Sequence, residues 1–298
     1  MLDKSMKAAK AKVENSDLWK EITEEQKKAL QDALLAMYRD VLITCAKYNI
    51  IPYLCGGSAL GAYRHKGFIP WDDDLDIAMT RNGFMKFESI FEKEFGDRYI
   101  LNAPNYCKNA KARFPKIIKK NTVCQEFGSM KDDELNGIFL DIFIIDSVPD
   151  NPLLFKLKGT YCNLLEFIGA CVYDYEFLDE AEKDFIKRTG SSMYYIRRAV
   201  GFVFHIRNHS YWFDRIDKAV SSTANTKRVG FVTGSKHYFG EVIEKSAITP
   251  YRKLQFCNIN APVFNDVEKY FENLYGKDYM KIPEEKDRVK HYIQELQL

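Results

Sequence analysis

Four aspartates in two separate segments of the chain have the spacing expected of a metal-assisted phosphate site. Asp74 and Asp76 lie two residues apart on a predicted strand, so their side chains point to one face of a sheet. Asp72 joins them if that strand begins early. Asp141 lies within a second, strongly apolar strand, where an unpaired buried carboxylate would be costly. Placed together, these carboxylates repel one another and require a cation that neutralises them.

Phosphoryl or nucleotidyl transfer is the chemistry that suits such a cluster. Mg²⁺ prefers oxygen ligands and uses substrate phosphates to complete its octahedron. A bound metal clamps the phosphate oxygens and stabilises the developing charge, while a second ion or a carboxylate activates the attacking hydroxyl. We therefore expect a Mg²⁺-dependent transferase, with Mn²⁺ as an alternative ion.

A short glycine-rich turn supplies the second half of this site. In Gly56-Gly57-Ser58, the chain turns into a predicted helix over residues 59–64, so backbone N–H groups face a phosphate. Ser58 is expected to be the N-cap and its hydroxyl an added donor. Sixteen residues after Ser58 comes the DLDI of residues 74–77. This order resembles the polymerase-β-like nucleotidyltransferase pattern.

Periodicity predicts a mixed sheet in the first half of the chain. Amphipathic helices are expected at about residues 18–48 and 81–95. Strands are expected at residues 50–55, 74–79, 99–102, 112–119, 123–127 and 137–146. Because strands and helices alternate this far, residues 1–150 are expected to form an α/β (α+β) catalytic core with the N-terminal helix.

Residues 151–298 have a different pattern. Residues 153–225 look mainly helical and aromatic. Asn265 and Glu268 resemble a capping box that opens a helix ending at Tyr275, before Gly276. We expect a helical subdomain and a C-terminal segment that pack on the core.

Composition excludes several other classes of protein. The 298 residues carry 44 Lys and Arg against 42 Asp and Glu, so a global basic field for nucleic acid is absent. Seven scattered cysteines without CxxC spacing argue against a zinc ribbon and fit a reducing cytosol. The most apolar stretch, residues 153–172, is broken by Lys156, Lys158 and Glu166, so no transmembrane segment is expected. Residues 1–12 have no apolar core, which argues against a signal peptide.

Three segments resemble the LicD family, which groups bacterial phosphocholine transferases with fukutin-type ribitol-phosphate transferases. The first and most specific is residues 55–77, CGGSALGAYRHKGFIPWDDDLDI. The others are residues 139–146, FLDIFIID, and residues 274–286, LYGKDYMKIPEEK. The resemblance extends from about residue 45 to 295 and covers the helical region only loosely.

The resemblance implies a reaction and a set of site residues. Family members take a phospho-alcohol from a CDP-activated donor, attach it to a sugar hydroxyl and release CMP. The metal-binding aspartates of the family correspond to Asp72, Asp74, Asp76 and Asp141, with Asp141 nearest the attacking hydroxyl and Asp74 and Asp76 as its catalytic partners. Their residue types alone do not decide which phosphorus is attacked.

Basic side chains near these motifs are candidates to bind the donor diphosphate. They are Arg64, His65, Lys66, Arg113 and Lys116. Arg64 and Lys116 are preferred because they lie in or near the matching motifs, and Arg suits bidentate phosphate contact. With Gly56, Gly57 and Ser58 they form the expected substrate-binding set. His65 is an alternative general base.

The preferred reaction is transfer of phosphocholine from CDP-choline to a sugar of a cell-surface glycan or teichoic-acid precursor. CDP-ribitol, CDP-glycerol or CDP-ethanolamine is the alternative donor. A true nucleotidyltransferase and a glycan-binding protein with a decayed site are further alternatives. Aromatic cages for choline could come from Tyr173, Tyr175 and Phe177 or from residues 211–213. A basic, aromatic stretch at residues 183–218 could face a membrane that bears a lipid-linked acceptor. We expect a cytoplasmic protein, peripheral at the inner membrane face in that case.

Overall fold

The computed structural model describes residues 22–126, 131–132, 134–178, 180, 183, 187, 192–285, 288 and 293–298. Several sequence predictions lie wholly or partly outside these residues. They are the interpretation of residues 1–12, the helix start at residue 18, the strand end at residue 127, parts of the 153–225 and 183–218 stretches, and residue 286 of the third motif.

A curled, mixed sheet lies at the centre of the described fold, which confirms the predicted fold class. In chain order the strands are β1 (Tyr53–Leu54), β2 (Asp76–Thr80), β3 (Tyr99–Asn102), β4 (Lys116–Lys119), β5 (Val123–Glu126), β6 (Phe139–Val148), β7 (Arg228–Gly230), β8 (Val242–Glu244), β9 (Arg252–Phe256), β10 (Ile259–Val263) and β11 (Ile293–Gln297). Seven of them form the main sheet, in the order β1-β2-β6-β4-β3, with β7 pairing with both β6 and β8. β2 and β6 run parallel.

Most helices alternate with strands along the chain, but α4, α5 and α6 follow one another between β6 and β7, and we call these three the helical layer. They are α1 (Glu24–Lys47), α2 (Gly56–His65), α3 (Arg81–Phe95), α4 (Pro152–Phe177), α5 (Ser192–Phe204), α6 (His209–Val220), α7 (His237–Gly240) and α8 (Val267–Tyr275). A 3₁₀ turn covers Lys245–Ala247. Over the described residues, no helix combines the length and apolar character that a membrane crossing requires.

The elements with the strongest periodicity agree closely with prediction. α3 and β3 have the predicted bounds. α1 ends one residue before the predicted limit, and a reciprocal pair of hydrogen bonds between Thr23 and Gln26 caps its beginning. α8 ends at Tyr275, before Gly276 in the left-handed region at φ 89°. Apolar periodicity and glycine stops therefore located these boundaries well.

The expected cap of α2 was wrong. The helix begins at Gly56 after Cys55, which supplies no side-chain cap, so Ser58 lies inside the first turn. The hydroxyl of Ser58 instead accepts a hydrogen bond from the backbone N–H of Asp76 at 2.9 Å. A serine can cap a helix or accept from a neighbouring strand, and here the contact with the strand takes precedence.

Several further boundary predictions were wrong. The strands expected at residues 50–55, 112–119 and 137–146 are β1, β4 and β6, which cover Tyr53–Leu54, Lys116–Lys119 and Phe139–Val148. β2 begins at Asp76, so Asp74 lies in the irregular segment just before it. The N-cap of α8 is Asp266, which accepts from the N–H of Lys269, and not Asn265. Glu268 instead pairs with Arg252 on β9.

Residues beyond the predicted boundary at 150 contribute to the sheet. β7 pairs antiparallel with the last three residues of β6, and β8 follows β7. The sequence analysis did not identify these three-residue strands, because three residues are too few to establish an alternating pattern. The division at residue 150 stays a prediction.

A buried arginine joins the sheet to the helical layer. Arg81, the first residue of α3, donates through Nε and Nη2 to the two carboxylate oxygens of Asp146 on β6, at 2.9 and 2.7 Å. Its Nη1 donates to Asp217 on α6 at 2.8 Å. Arg81 is 5% exposed and Asp146 is 1% exposed. Burial raises the pKa of Asp146, although Arg81 opposes this effect.

Replacing Arg81 by methionine should lower the free energy of unfolding by about 3–5 kcal/mol, because a buried carboxylate would lose its partner. Arg98→Met is the matched control. Arg98 pairs with Asp40 at the surface, where such pairs contribute about 0–1 kcal/mol. Urea titration of both variants measures the difference, and equal losses would contradict the assignment.

Candidate active site

A row of three charged side chains crosses the centre of the main sheet. Asp76 is paired in register with Asp141 on the neighbouring parallel strand. Asp141 is also opposite Lys116 on the antiparallel strand β4. Directly paired residues project to the same face of a sheet, and neighbouring strands lie about 4.8 Å apart. We call Lys116, Asp141 and Asp76 the charged row. The row joins carboxylates that are 65 positions apart in the sequence.

Lys116 is held firmly against the carboxylate at the centre of this row. Its Nζ donates to Asp141 Oδ1 at 2.5 Å, and both side chains are largely buried. The ammonium also lies 3.5 Å from the ring centroid of Phe139. The predicted phosphate ligand Lys116 is therefore next to the predicted catalytic Asp141.

The beginning of α2 packs directly against two of the aspartates. A methyl group at Gly56 would lie 2.9 Å from Asp76 Oδ2, and a methyl at Gly57 would lie 2.9 Å from Asp72 Oδ2. Gly56 also has a φ of 52°, which favours glycine. The two glycines thus let the carboxylates approach the positive end of the helix, where negative charge is stabilised.

Other contacts fix the backbone around these glycines. The N–H of Gly56 donates to the hydroxyl of Tyr270 on α8 at 3.0 Å. The side chain of Gln31 on α1 donates to the carbonyl of Asp72 at 2.8 Å. The N–H groups of Gly57 and Ser58 belong to the first turn, where a helix offers no internal acceptor. They are the remaining candidates to bind a phosphate.

A cavity of about 390 Å³ opens beside this end of α2. Its lining combines acidic, basic and aromatic groups from three parts of the chain. The lining residues are Gly57, Leu60, Arg64, Ile69, Trp71, Asp72, Asp74, Asp76, Tyr275, Asp278, Tyr279, Lys281, Pro283 and Arg288. The cavity therefore contains three of the four predicted metal ligands and the predicted substrate ligand Arg64.

Two guanidinium groups lie over Trp71 in this cavity. Arg64 Cζ is 5.9 Å and Arg288 Cζ is 4.3 Å from the indole ring. Within the described part of the chain, the buried Nε of Arg288 has no hydrogen-bond acceptor. An arginine held on an aromatic face with an unused donor suits a phosphate ligand. Sequence reasoning missed Trp71 and Arg288 as site residues, although the first motif contains Trp71.

Tyr275 adds a phenol to the acidic side of the cavity. Desolvation is the main cause that raises its pKa, and the charges of Asp76 and Asp72 raise it further. The phenol therefore stays protonated and can donate a hydrogen bond to a bound anion. Tyr275 lies in the third motif, and only its role as the end of a helix was predicted.

The other basic candidates have different surroundings. His65 accepts a hydrogen bond from Arg64 Nε at 2.9 Å. Burial and then the charge of Arg64 lower the pKa of His65. Arg113 donates to the carbonyls of Thr233 and Gly234 and does not line the cavity. Lys66 is exposed at the end of α2.

The aromatic residues proposed as choline cages lie in the helical layer. Tyr173 packs against Phe177, His209 and Phe213. Tyr175 packs against His205 and lies under Arg198. None of these residues, nor any of residues 211–213, lines the cavity beside the aspartates.

The aspartates offer the donor chemistry of a Mg²⁺ site, since all their ligand atoms are hard oxygens. In the part of the chain that the structure describes, no three His, Cys, Asp or Glu side chains are grouped closely enough to hold a metal ion. Mg²⁺ is commonly held by one or two carboxylates together with substrate phosphates. The paired Asp76 and Asp141 fit that arrangement, and the four-ligand set stays a prediction.

Comparison with known proteins relates the segment that holds these aspartates to one family. Residues 49–156 match the family model described as LicD/FKTN/FKRP, nucleotidyltransferase domain. The lipopolysaccharide cholinephosphotransferase LicD of Haemophilus influenzae is 27% identical over 254 residues, which cover 84% of this chain and 90% of that protein. An uncharacterized protein of Rickettsia typhi is 39% identical over 79 residues, covering 26% of this chain and 25% of its own length. An uncharacterized protein of Caenorhabditis elegans is 48% identical over 50 residues, covering 17% and 12%.

Lys111 is a second buried ammonium close to the charged row. Its Nζ donates to the Leu135 carbonyl at 3.0 Å and to Asn136. It lies 6.0 Å from the Phe139 ring centroid. Burial is the main cause that lowers the pKa of Lys111 to about 8, and the charge of Lys116 is the second. The folded state therefore binds this proton less tightly than the unfolded chain does.

Lys111 should make the free energy of unfolding depend on pH, and comparison with a Lys111 variant separates this contribution from that of other groups. Between pH 8 and 10.5 the unfolded chain holds more protons at this group, so the wild type should gain stability relative to Lys111→Met as pH rises. Below pH 8 the difference should be constant. Denaturant unfolding of both proteins at several pH values tests this, since other groups titrate in both. A difference that stays flat from pH 7 to 10 would contradict it.

Proposed function

We propose that this chain, which matches the LicD family model over residues 49–156, transfers phosphocholine from CDP-choline to a sugar hydroxyl and releases CMP. The acceptor is a cell-surface glycan or a teichoic-acid precursor. The observation that carries the proposal is the charged row, in which Asp141 and Asp76 lie side by side next to the positive end of α2. The Haemophilus influenzae relative, a lipopolysaccharide cholinephosphotransferase, supports the choice of choline.

Asp141 is the residue that we assign to the attacking hydroxyl. The hydroxyl oxygen forms a bond to the phosphorus of the phosphocholine group as its proton passes to Asp141. The bond from that phosphorus to the oxygen of CMP breaks, and CMP leaves. Lys116, which donates to Asp141 Oδ1, orients the carboxylate before the transfer.

In this scheme the diphosphate lies on the side of Asp76 that faces α2, and the attacking hydroxyl lies at Asp141. The N–H groups of Gly57 and Ser58 face the phosphates from the first turn of α2. Arg64 and Arg288, whose guanidinium groups lie over the ring of Trp71, contribute positive charge. We assign Asp72, Asp74, Asp76 and Asp141 to a divalent metal. When bound, Mg²⁺ neutralises these carboxylates and polarises the phosphate oxygens.

The donor and the location belong to the proposal as well. The family model also includes FKTN and FKRP, so CDP-ribitol, CDP-glycerol or CDP-ethanolamine is the alternative donor for the same residues. All seven cysteines are free thiols, which supports a reducing cytoplasm. We place the reaction at the inner face of the membrane if the acceptor is lipid-linked.

Purified protein should release CMP from CDP-choline only with Mg²⁺ or Mn²⁺, and EDTA should abolish the release. The protein is incubated with each of the four CDP-alcohols and a panel of methyl glycosides as acceptors. Anion-exchange analysis then measures the CMP released. Asp74→Ala and Asp76→Ala should each reduce turnover by about 100-fold or more. The exposed Asp97→Ala is the matched control.

Three outcomes would overturn parts of this proposal. CMP release from another CDP-alcohol, but not from CDP-choline, would replace the donor. Pyrophosphate release from CTP and phosphocholine would indicate nucleotidyl transfer. Full turnover by both aspartate variants would show that Asp74 and Asp76 do not belong to the active site.

Gly57→Ala should impair turnover by about 100-fold while leaving the fold intact, since its methyl group would displace the Asp72 carboxylate. Alanine in a helix is otherwise more favourable than glycine by about 1 kcal/mol. Gly83→Ala, in the first turn of α3 at the other end of β2, is the matched control. Steady-state kinetics and thermal unfolding separate the two effects. Equal kinetics for both variants would show that the close approach to Asp72 is dispensable.

A further inference from the structure

Two phenylalanines lie beside the charged row on the same face of the sheet. Phe143 is two residues after Asp141, and Phe114 is two residues before Lys116. Alternate residues of a strand share a face, so Phe143 lies on the same face of β6 as Asp141. Phe114 lies in the irregular segment just before β4, and its ring centroid is 5.4 Å from Nζ of Lys116. The rings stack with centroids 5.0 Å apart and an interplanar angle of 27°. We call Phe114 and Phe143 the aromatic shelf.

The shelf is not fully buried in the core. Leu140, Ile142 and Ile144 point to the opposite face of β6 and are almost completely buried. Phe114 and Phe143 are half-buried, so both rings keep contact with solvent. A large apolar ring left partly open next to a catalytic row suits a ligand surface.

One ring of the shelf, Phe114, already lies near a cation, as does the neighbouring ring of Phe139. The ammonium of Lys116 lies 3.5 Å from the ring centroid of Phe139 and 5.4 Å from that of Phe114. The same ammonium lies 2.5 Å from Oδ1 of Asp141. Together, two rings and a carboxylate make a local environment that favours positive charge.

Distances along the strand match the length of a phosphocholine group. Two residues along a strand span about 6.6–6.8 Å. The nitrogen of phosphocholine is four bonds from its phosphorus, which corresponds to roughly 5 Å. A phosphorus held at Asp141 therefore brings a trimethylammonium group within reach of Phe143.

The cavity lies on the other side of the charged row, so the shelf is available to bind the choline group. The cavity beside α2 includes Asp72, Asp74 and Asp76 but neither Phe114 nor Phe143. The nucleoside and the choline extend in opposite directions from the diphosphate. With the nucleoside in the cavity, the choline extends over the shelf. The aromatic residues of the helical layer are then unnecessary for recognition.

We propose that Phe114 and Phe143 form the subsite for the quaternary ammonium of the donor, an inference that rests on the proposed function. Phe143 is the principal contact, and Phe114 supports its ring. Cation–π attraction contributes about 0.5–2 kcal/mol, which corresponds to about 2- to 30-fold in affinity.

Calorimetric titration with CDP-choline and with CDP, in Mg²⁺ and without an acceptor, tests the subsite. Phe143→Leu should weaken CDP-choline binding by about tenfold and CDP binding by less than twofold, whereas Phe143→Tyr should keep both affinities. Phe114→Leu should weaken CDP-choline binding in the same direction. Phe202→Leu is the matched control, because Phe202 is 62% exposed on α5. Thermal unfolding confirms that each variant is folded.

The alternatives give different results. Equal weakening of CDP-choline and CDP by Phe143→Leu would assign the ring to the cytosine base and overturn the subsite. Unchanged binding of both ligands would also overturn it. If the wild type releases CMP from CDP-choline while either result holds, only the subsite fails. If the wild type binds CDP-choline no better than CDP and releases no CMP from it, the proposed function fails as well.

Discussion

Mutual repulsion between carboxylates is the constraint on which the site depends. Asp76 and Asp141 lie next to each other in the sheet, and Asp72 approaches the same helix end. Such a cluster raises the free energy of the folded state unless positive charge is close. The chain provides it through the ammonium of Lys116 and through the positive end of α2. The two glycines of α2 are thus an electrostatic requirement, because a side chain at either position would separate the helix end from the carboxylates.

The same constraint explains how the rest of the chain is organised around the sheet. The parallel pairing of β2 with β6 places Asp76 beside Asp141. At the other end of these strands, the buried ion pair between Arg81, which follows β2, and Asp146 of β6 joins them. Asp217 extends this ion pair into the helical layer. The layer therefore restrains the strands that hold the carboxylates, even though its aromatic residues do not line the cavity.

The sequence predicted the main parts of the fold, and the limits of that prediction have physical causes. Long periodic elements such as α3 were located correctly, and the spacing around Asp76 identified the acidic cluster. Ser58 was misassigned because its hydroxyl accepts from a strand that is close only in three dimensions. The contacts of Trp71 with Arg288 and of Phe143 with Phe114 were not predicted, since they depend on how distant segments pack. The four-ligand metal set remains a prediction.

The hydrogen bond from Gly56 to the hydroxyl of Tyr270 connects positions 214 residues apart. During synthesis, the first turn of α2 leaves the ribosome long before α8 exists. Until then its N–H lacks this acceptor, and the cavity lacks the wall that includes Tyr275 and Arg288. Nascent chains that carry only the acidic motifs therefore have an incomplete cavity. Its walls come together only after the segment from Val267 to Arg288 has been synthesised and has packed on the first turn of α2.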